Sequence, residues 1–109
     1  MRFGTRNSNT NGSGGSFDWQ TVALVWQKAR MVPGVDPRVR RKDSCGAWID
    51  RNKYGDTTPN GNGWEIDHIL PVSSGGTDQL SNLQPLQWQN NRAKADRTLG
   101  WSCAVAAAR

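Results

Sequence analysis

Residues 64–71 read WEIDHILP and contain the only histidine of the 109-residue chain. His68 directly follows Asp67. A histidine is suited to accept a proton near neutral pH, and a carboxylate is a hard oxygen ligand for an ion such as Mg²⁺. Adjacent side chains of a strand point to opposite faces. The pair therefore converges on one site only if the strand ends or bends here, which Pro71 and Gly75-Gly76 favour.

Two asparagines downstream carry amide oxygens that can bind a hard cation without adding charge. Asn82 lies in the segment SNLQ, and Asn91 lies in WQNNRAKAD, which has the composition of a helix. Each asparagine alone is more often an ordinary surface residue. Their order behind Asp67-His68 gives them weight as site residues.

This order of residues resembles the HNH endonuclease family over about residues 45–96. The pattern of that family is a strand ending in Asp-His, a glycine-containing loop, an Asn-Leu-Gln strand start, and a helix carrying His or Asn followed by Lys. The chain matches these parts in order and spacing with Asp67-His68, Gly75-Gly76, Asn82-Leu83-Gln84, and Asn91 followed by Lys94.

The resemblance implies an α+β fold with a ββα-metal core of the HNH or His-Me finger type, in which two strands, a loop and a helix hold one divalent ion. It implies that His68 is the general base and that Asp67 and Asn91 hold the metal. It implies that Asn82 steadies the loop and the histidine. Hard oxygen ligands make Mg²⁺ the expected ion and Mn²⁺ the alternative.

Many members of the family also bind a structural zinc through two CxxC pairs, and the chain departs from that pattern. Cys45 falls at the first position, but Trp48 stands at the second, and Gln87 and Asn90 stand at the other pair. We therefore expect no structural zinc. Cys45 and Cys103 can form one disulfide, but the interpretation we favour from the sequence is two reduced thiols in a cytoplasmic protein.

The chain is basic, with 14 Lys and Arg residues against nine Asp and Glu residues and a formal charge of +5. This charge suits a polyanion, although many small proteins are equally basic. The run VDPRVRRKD at 35–43 is by itself more typical of a solvated connector. With the family resemblance, six cations become candidate phosphate contacts: Arg38, Arg40, Arg41, Lys42, Arg92 and Lys94.

The rest of the chain divides into a tail and one domain. Residues 1–15 are rich in Gly, Ser and Asn and predict a flexible tail. We expect residues 16–109 to form a single HNH nuclease domain, with the ββα-metal core at about 45–96 and an additional N-terminal helix.

Periodicity predicts that N-terminal helix at residues 17–32, capped by Asp18 or Ser16 and ended by Pro33-Gly34. Strands are predicted at 45–49 and 64–69, paired as a hairpin, and a last helix at 88–96. The buried stripe of the first helix is predicted to contain Trp19, Val22, Ala23, Trp26 and Ala29.

These features predict a metal-dependent endonuclease that hydrolyses DNA, with double-stranded DNA as the expected substrate. The alternative is a catalytically silent nucleic-acid-binding module on the same fold, and a third interpretation makes the Asp67-His68 pair structural. No apolar run is long enough to span a membrane, and we expect a cytoplasmic protein encoded by a bacterium or phage. A homodimer is open, and an immunity protein is expected only if the domain is a toxin.

Overall fold

The computed structural model describes residues 7–106, which form two α-helices and two separate two-stranded antiparallel sheets, β1–β2 and β3–β4. No helix within these residues is long and apolar enough to cross a lipid bilayer. The result is a small α+β fold that is compatible with an HNH-type domain. In chain order the elements are α1 (Trp19–Trp26), β1 (Arg40–Lys42), β2 (Trp48–Asp50), β3 (Trp64–His68), β4 (Leu83–Gln87) and α2 (Trp88–Lys94), with short 3₁₀ turns at Arg51–Lys53, Val72–Ser74 and Leu80–Asn82.

Helix α1 begins at a capping residue that the sequence predicts. Asp18 is the N-cap, and its Oδ1 accepts the Thr21 N–H at 2.7 Å. The helix buries Val22 and Trp26 from the predicted stripe, whereas Trp19 remains 78% exposed. The stripe therefore faces the core from the second turn of the helix onward.

The end of α1 differs from the prediction of a helix over residues 17–32, since it lies at Trp26. Beyond it, the carbonyls of Gln27 and Ala29 accept hydrogen bonds from Nη1 of Arg41 at 3.2 and 3.3 Å. A guanidinium from another segment thus takes carbonyls that a longer helix would use for its own backbone bonds.

The predicted pairing of strands 45–49 and 64–69 is wrong. β2 pairs with β1, which lies in the stretch interpreted as a connector, and β3 pairs with β4. A tight turn joins β1 to β2, with the Asp43 N–H bonded to the carbonyl of Ala47 at 2.9 Å. Closing this short turn costs less chain entropy than closing the long loop that precedes β3.

β3, β4 and α2 form one continuous unit around the Asp-His pair. All five residues of β3 are buried, and its last residue, His68, lies opposite Leu83. β4 leads into α2 without a loop, because Gln87 ends the strand and its side-chain oxygen caps the helix by accepting the N–H groups of Gln89 and Asn90. Helix α2 packs against both strands, which brings its side chains to the end of β3.

The core lies between α1 and the β3–β4 sheet and is built on two tryptophans. Trp26 and Trp64 are fully buried, and their ring centroids are 5.4 Å apart. Tyr54 packs edge-on against Trp64 at 4.9 Å. The N-terminal helix is therefore part of the core. The remaining members of the core are Phe17, Val22, Val25, Ala29, Ile49, Ile66 and Leu83.

A buried aspartate joins the β1–β2 turn to the start of α2. Asp43 is 1% exposed, and its Oδ1 accepts the N–H groups of Cys45 and Ala47 at 2.9 Å. Its Oδ2 accepts the Gln87 N–H at 2.9 Å and Nδ2 of Asn90 at 3.0 Å. We call Asp43 and these four partners the Asp43 cluster.

Cys45 and Cys103 form a disulfide with Cα atoms 6.0 Å apart, so the interpretation of two reduced thiols is wrong. The C-terminal segment returns to α2, where Asn90 Oδ1 accepts the Val105 N–H at 2.7 Å and Nδ2 donates to its carbonyl at 2.8 Å. This return brings Cys103 to the β1–β2 turn. Cys45, Gln87 and Asn90, which stand at positions of the zinc-binding pattern described above, thus take part in a disulfide and in hydrogen bonds.

Residues 7–15, which the sequence predicts as part of a flexible tail, lie against the domain, and we call them the N-terminal segment. Asn9 Oδ1 accepts the Tyr54 hydroxyl and the Ile66 N–H, both at 2.8 Å. The Gly12 N–H donates to the carboxylate of Asp78 at 2.9 and 3.0 Å. The remainder of the predicted tail, residues 1–6, lies outside the described residues.

Candidate active site

His68 occupies the end of β3, with one ring nitrogen in contact with a carboxylate. Its side chain is 9% exposed, and its ring lies 5.9 Å from that of Phe17. Nε2 lies 2.8 Å from Oδ1 of Asp78. The donor and acceptor roles in this contact depend on the tautomer of the ring; with an ionised Asp78, which can only accept, Nε2 carries the proton. No residue in the described part of the chain hydrogen-bonds Nδ1, so this nitrogen can take a proton from a ligand.

Asp67 points from β3 to helix α2. Its Oδ1 lies 3.1 Å from Nζ of Lys94, and its Oδ2 accepts a hydrogen bond from Nε2 of Gln84 at 2.8 Å. Burial raises the pKa of the Asp67 carboxyl, while the hydrogen bond from Gln84 and the charge of Lys94 lower it in part. A divalent cation beside this carboxylate would favour its charged form further.

Asn91 lies on α2 with its amide orientated by a buried carboxylate. Its Nδ2 donates to Oε1 of Glu65 at 2.9 Å. Glu65 is 3% exposed and also forms a two-pronged ion pair with Arg92, at 3.3 and 3.0 Å. No side chain or backbone N–H of residues 7–106 bonds to Oδ1 of Asn91. That oxygen is therefore free to bind a cation.

A pocket of about 390 Å³ lies where these side chains meet. Asp67, His68 and Asn91 all line it, together with Arg92 and Asn9 of the N-terminal segment. The neighbours Asp67 and His68 reach the same pocket because β3 ends there, which is the condition set by the alternation of strand side chains. The structure thus brings together the residues predicted as the general base and the metal ligands.

The oxygen donors around the pocket fit a hydrated hard cation. Among residues 7–106, no group of three or more His, Cys, Asp or Glu side chains is arranged to hold a metal ion. Asp67 and Asn91 line the pocket and carry hard oxygens, and those of Asp67 also accept hydrogen bonds from Lys94 and Gln84. Mg²⁺ keeps several waters and commonly takes only one or two carboxylates from the protein, with substrate phosphates completing its shell. The donors therefore suit an ion that binds together with a phosphate.

Asn82 closes the loop between β3 and β4 and does not line the pocket. Its Nδ2 donates to the carbonyls of Leu70 and Thr77 at 3.0 and 2.9 Å, and its Oδ1 accepts the Leu70 N–H at 2.8 Å. Gly76 lets the chain approach itself here, since a Cβ atom at this position would lie 1.7 Å from the carbonyl oxygen of Leu70. This arrangement suits the predicted supporting role of Asn82 in the loop that precedes Asp78.

The two candidate phosphate contacts on α2 are placed differently. Lys94 is 2% exposed, and its Nζ donates to Asp67 and to the His68 carbonyl at 3.1 and 2.9 Å. It fastens the end of β3 to α2 and is not placed to contact a flanking phosphate. Arg92 lines the pocket with a side chain that is 48% exposed despite its pairing with Glu65.

The four basic candidates that precede β2 do not line the pocket that contains His68. Arg41 is 6% exposed, and its guanidinium donates to the carbonyls of Pro37, Gln27 and Ala29. It is a structural residue and is not placed to contact DNA. The other three are each engaged by a neighbour: Arg38 by Asp36, Arg40 by Asp50, and Lys42 by the ring of Trp48.

Two carboxylates that contact the candidate site residues, Glu65 and Asp78, were not identified from the sequence. Glu65 has a signal in the sequence, because residues i and i+2 of a strand share a face and Glu65 precedes Asp67 by two positions. Asp78 has none, since its contact with His68 depends on how the loop after β3 folds back.

Residues 52–99 match the family model of the HNH endonucleases. This segment is similar to the HNH endonucleases, and it covers less than half of the chain. No curated protein and no solved structure matches the chain. The matched HNH segment contains β3, β4 and α2, and with them Asp67, His68, Asn82 and Asn91. The family therefore indicates a nuclease and a nucleic acid as the substrate.

Proposed function

We propose that the chain is a metal-dependent HNH endonuclease that hydrolyses phosphodiester bonds of double-stranded DNA. The convergence of His68, Asp67 and Asn91 on one pocket carries this proposal, because a side chain that can accept a proton and two that carry hard oxygens line the same pocket. The net charge of +5 supports a polyanionic substrate. The catalytically silent alternative is not favoured, since the chain retains both the histidine and the two oxygen ligands.

His68 supplies the proton transfer in the proposed reaction. Nδ1 takes a proton from a water as the water oxygen forms a bond to phosphorus. The bond from phosphorus to the 3′ oxygen then breaks, and the departing oxygen takes a proton from solvent. The products are a 5′ phosphate and a 3′ hydroxyl. A general base of this kind contributes about 10²- to 10⁴-fold to the rate.

Asp67 and Asn91 would hold the divalent ion, with Mg²⁺ expected and Mn²⁺ as the alternative. When bound, the ion supplies positive charge against the negative charge that develops at the scissile phosphate. Glu65 keeps the Asn91 amide nitrogen engaged, which leaves its oxygen for the ion. Lys94 and Gln84 keep the Asp67 carboxylate in place at the end of β3.

Arg92 is the basic side chain best placed to bind a phosphate beside the cleaved bond, because it lines the pocket and is half-exposed. A phosphate contact positions the substrate and carries no sequence information. Arg38, Arg40 and Lys42 would at most bind phosphates farther along the DNA, in competition with their present partners. We therefore expect weak sequence preference and binding that weakens steeply with salt.

Plasmid cleavage tests this proposal. Supercoiled DNA is incubated with the protein and Mg²⁺, Mn²⁺ or a chelator, beside the variants His68→Ala and Asp67→Ala. We expect metal-dependent cleavage, a rate about 10²- to 10⁴-fold lower for His68→Ala because the general base is lost, and weaker metal affinity for Asp67→Ala. Circular dichroism of each variant verifies its folding.

Two results would contradict the proposal in different ways. Salt-sensitive DNA binding by the wild-type protein without cleavage under any ion would favour the silent module. Unchanged cleavage by a folded His68→Ala variant would remove His68 from the mechanism.

A further inference from the structure

We infer that Asp78 is a positioning residue for His68: its carboxylate holds the proton on Nε2 and thereby presents Nδ1 as the nitrogen that accepts the proton of the attacking water. The orientation of the ring stands on the structure alone, whereas its catalytic consequence rests on the proposed function.

The contact between the two side chains decides which ring nitrogen is protonated. In a neutral imidazole one nitrogen carries a proton and the other a lone pair, and the partner of one nitrogen sets the state of the other. The separation of 2.8 Å between Nε2 of His68 and Oδ1 of Asp78 is that of a hydrogen bond with a charged acceptor. An ionised carboxylate cannot donate, so the lone pair is left on Nδ1.

Among the described residues, contacts to the carboxylate and to the preceding residue position Asp78, although 45% of its side chain is exposed. The Gly12 N–H donates to both carboxylate oxygens, at 2.9 and 3.0 Å. The carbonyl of the preceding residue, Thr77, accepts a hydrogen bond from Nδ2 of Asn82 at 2.9 Å. Asn82 thus reaches the histidine indirectly, through the loop that positions Asp78.

The ring of His68 has little freedom to turn away from this contact. Its side chain is 9% exposed, and the buried Phe17 ring packs at 5.9 Å from it. Phe17 and Gly12 both precede α1, and both lie outside the family-matched residues 52–99. The N-terminal part of this chain therefore helps to orient a residue of the HNH segment.

The single histidine of the chain permits a direct test by nuclear magnetic resonance. The nitrogen-15 signals of the imidazole belong to His68 alone and show which nitrogen carries the proton. For the metal-free protein at a pH where the ring is neutral, we expect a proton on Nε2 and a bare Nδ1. In Asp78→Ala we expect the form protonated on Nδ1 to gain population, because the acceptor for Nε2–H is gone.

Steady-state kinetics on DNA measure the catalytic consequence. We expect Asp78→Ala to lower kcat about 10- to 100-fold, as for other residues that orient a catalytic side chain, with little change in KM. Asp78→Glu should restore part of the loss, because it keeps an acceptor for Nε2–H. Loss of a negative charge would favour DNA binding, so weaker attraction to DNA cannot explain the fall.

A matched control is Asp56→Ala, which removes an aspartate from a loop where it accepts from the Thr58 N–H at 2.8 Å. This variant should leave both the ring protonation and kcat as in the wild type. Melting temperatures of all variants separate a change at His68 from a general loss of stability.

Several outcomes would overturn the inference. One is a wild-type ring protonated on Nδ1, and another is an Asp78→Ala variant whose ring protonation and kcat equal those of the wild type. A lower melting temperature with unchanged ring protonation would make Asp78 merely structural. If no protein cleaves DNA, the proposed function fails, but the ring signals still decide whether Asp78 orients His68.

Discussion

Asn90 and Asn91 are neighbours on α2 that face two regions built on different principles. Asn91 belongs to the pocket, where its amide meets the charged pair of Glu65 and Arg92. Asn90 belongs to the Asp43 cluster, where one carboxylate is surrounded by neutral donors. One helix turn therefore contacts a region with paired charged side chains and a region in which neutral donors surround one carboxylate.

The buried carboxylates of the two regions, Asp43 and Asp67, differ in their hydrogen-bond partners. Asp43 has hydrogen bonds to both oxygens from four neutral donors, which compensate its burial. Asp67 is paired with buried Lys94, yet burial still raises its pKa. A carboxylate that remains incompletely compensated is typical of functional sites. We therefore expect substitutions in the Asp43 cluster to lower stability and substitutions in the pocket to lower activity.

The largest effect that we expect in this comparison comes from Asp43→Ala. The substitution leaves buried donors of Gln87 and Asn90 without their acceptor, and the free energy of unfolding should fall by about 4 kcal/mol. Urea denaturation measures the change. Asp36→Ala is the control, because Asp36 is an exposed aspartate bonded to Arg38 and surface ion pairs contribute little to stability.

Cleavage by the folded fraction of Asp43→Ala decides whether the two regions are separable. Activity per folded molecule should equal that of the wild type, since Asp43 does not line the pocket. A large loss of activity at full folding would show that the Asp43 cluster also shapes the site.

Removal of the disulfide should give the next largest change in the free energy of unfolding. The disulfide joins residues 58 positions apart, and Cys45→Ser with Cys103→Ser should lower the free energy of unfolding by about 2–4 kcal/mol, because the unfolded chain gains freedom. Denaturation with and without reductant measures this difference. Wild-type protein in reductant should match the double variant, and a difference between them would assign the effect to the serines.

The same experiment bears on where the protein is stable. Disulfides persist in oxidising compartments and are rare in the cytosol. In a reducing environment the chain would depend on the Asp43 cluster and on the contacts of Asn90 with Val105 to hold its C-terminal segment. If reduction leaves the stability unchanged, these hydrogen bonds suffice and the disulfide is dispensable.

The pocket was more predictable than the Asp43 cluster because its residues follow a local order. Asp67-His68 at a strand end, Asn82 in a loop and Asn91 on a helix are spacings within one segment, and a strand end is enough to bring the first pair together. The cap at Asp18 is local as well. Such features depend on backbone geometry over a few residues, which sequence patterns report well.

What could not be predicted depends on partners far away in the chain. Arg41 is buried where its guanidinium donates to carbonyls beyond the end of α1, and Lys94 is buried where its Nζ donates to Asp67. Cys103 pairs with Cys45 across 58 positions, in a C-terminal segment that also hydrogen-bonds Asn90. The periodic patterns that predict burial are those of apolar residues, and they do not report the burial of a charged or thiol side chain. Composition therefore suggested surface cations and free thiols.

The smallest effect that we expect is on the salt dependence of DNA binding. It compares Arg92, which lines the pocket, with Arg38, which does not. Arg92→Gln should reduce the slope of log affinity against log salt concentration by about 0.9, the value for one lost phosphate contact. Arg38→Gln should leave the slope nearly unchanged, because Arg38 does not line the pocket and pairs with Asp36. DNA binding measured at several salt concentrations, with metal present and cleavage blocked by His68→Ala, gives both slopes.

Since Arg92 also pairs with buried Glu65, only variants shown to be fully folded are compared. Equal losses in the two variants would mean that the DNA extends from the pocket across the β1–β2 sheet, and the division between a catalytic region and a structural region would no longer hold for substrate binding.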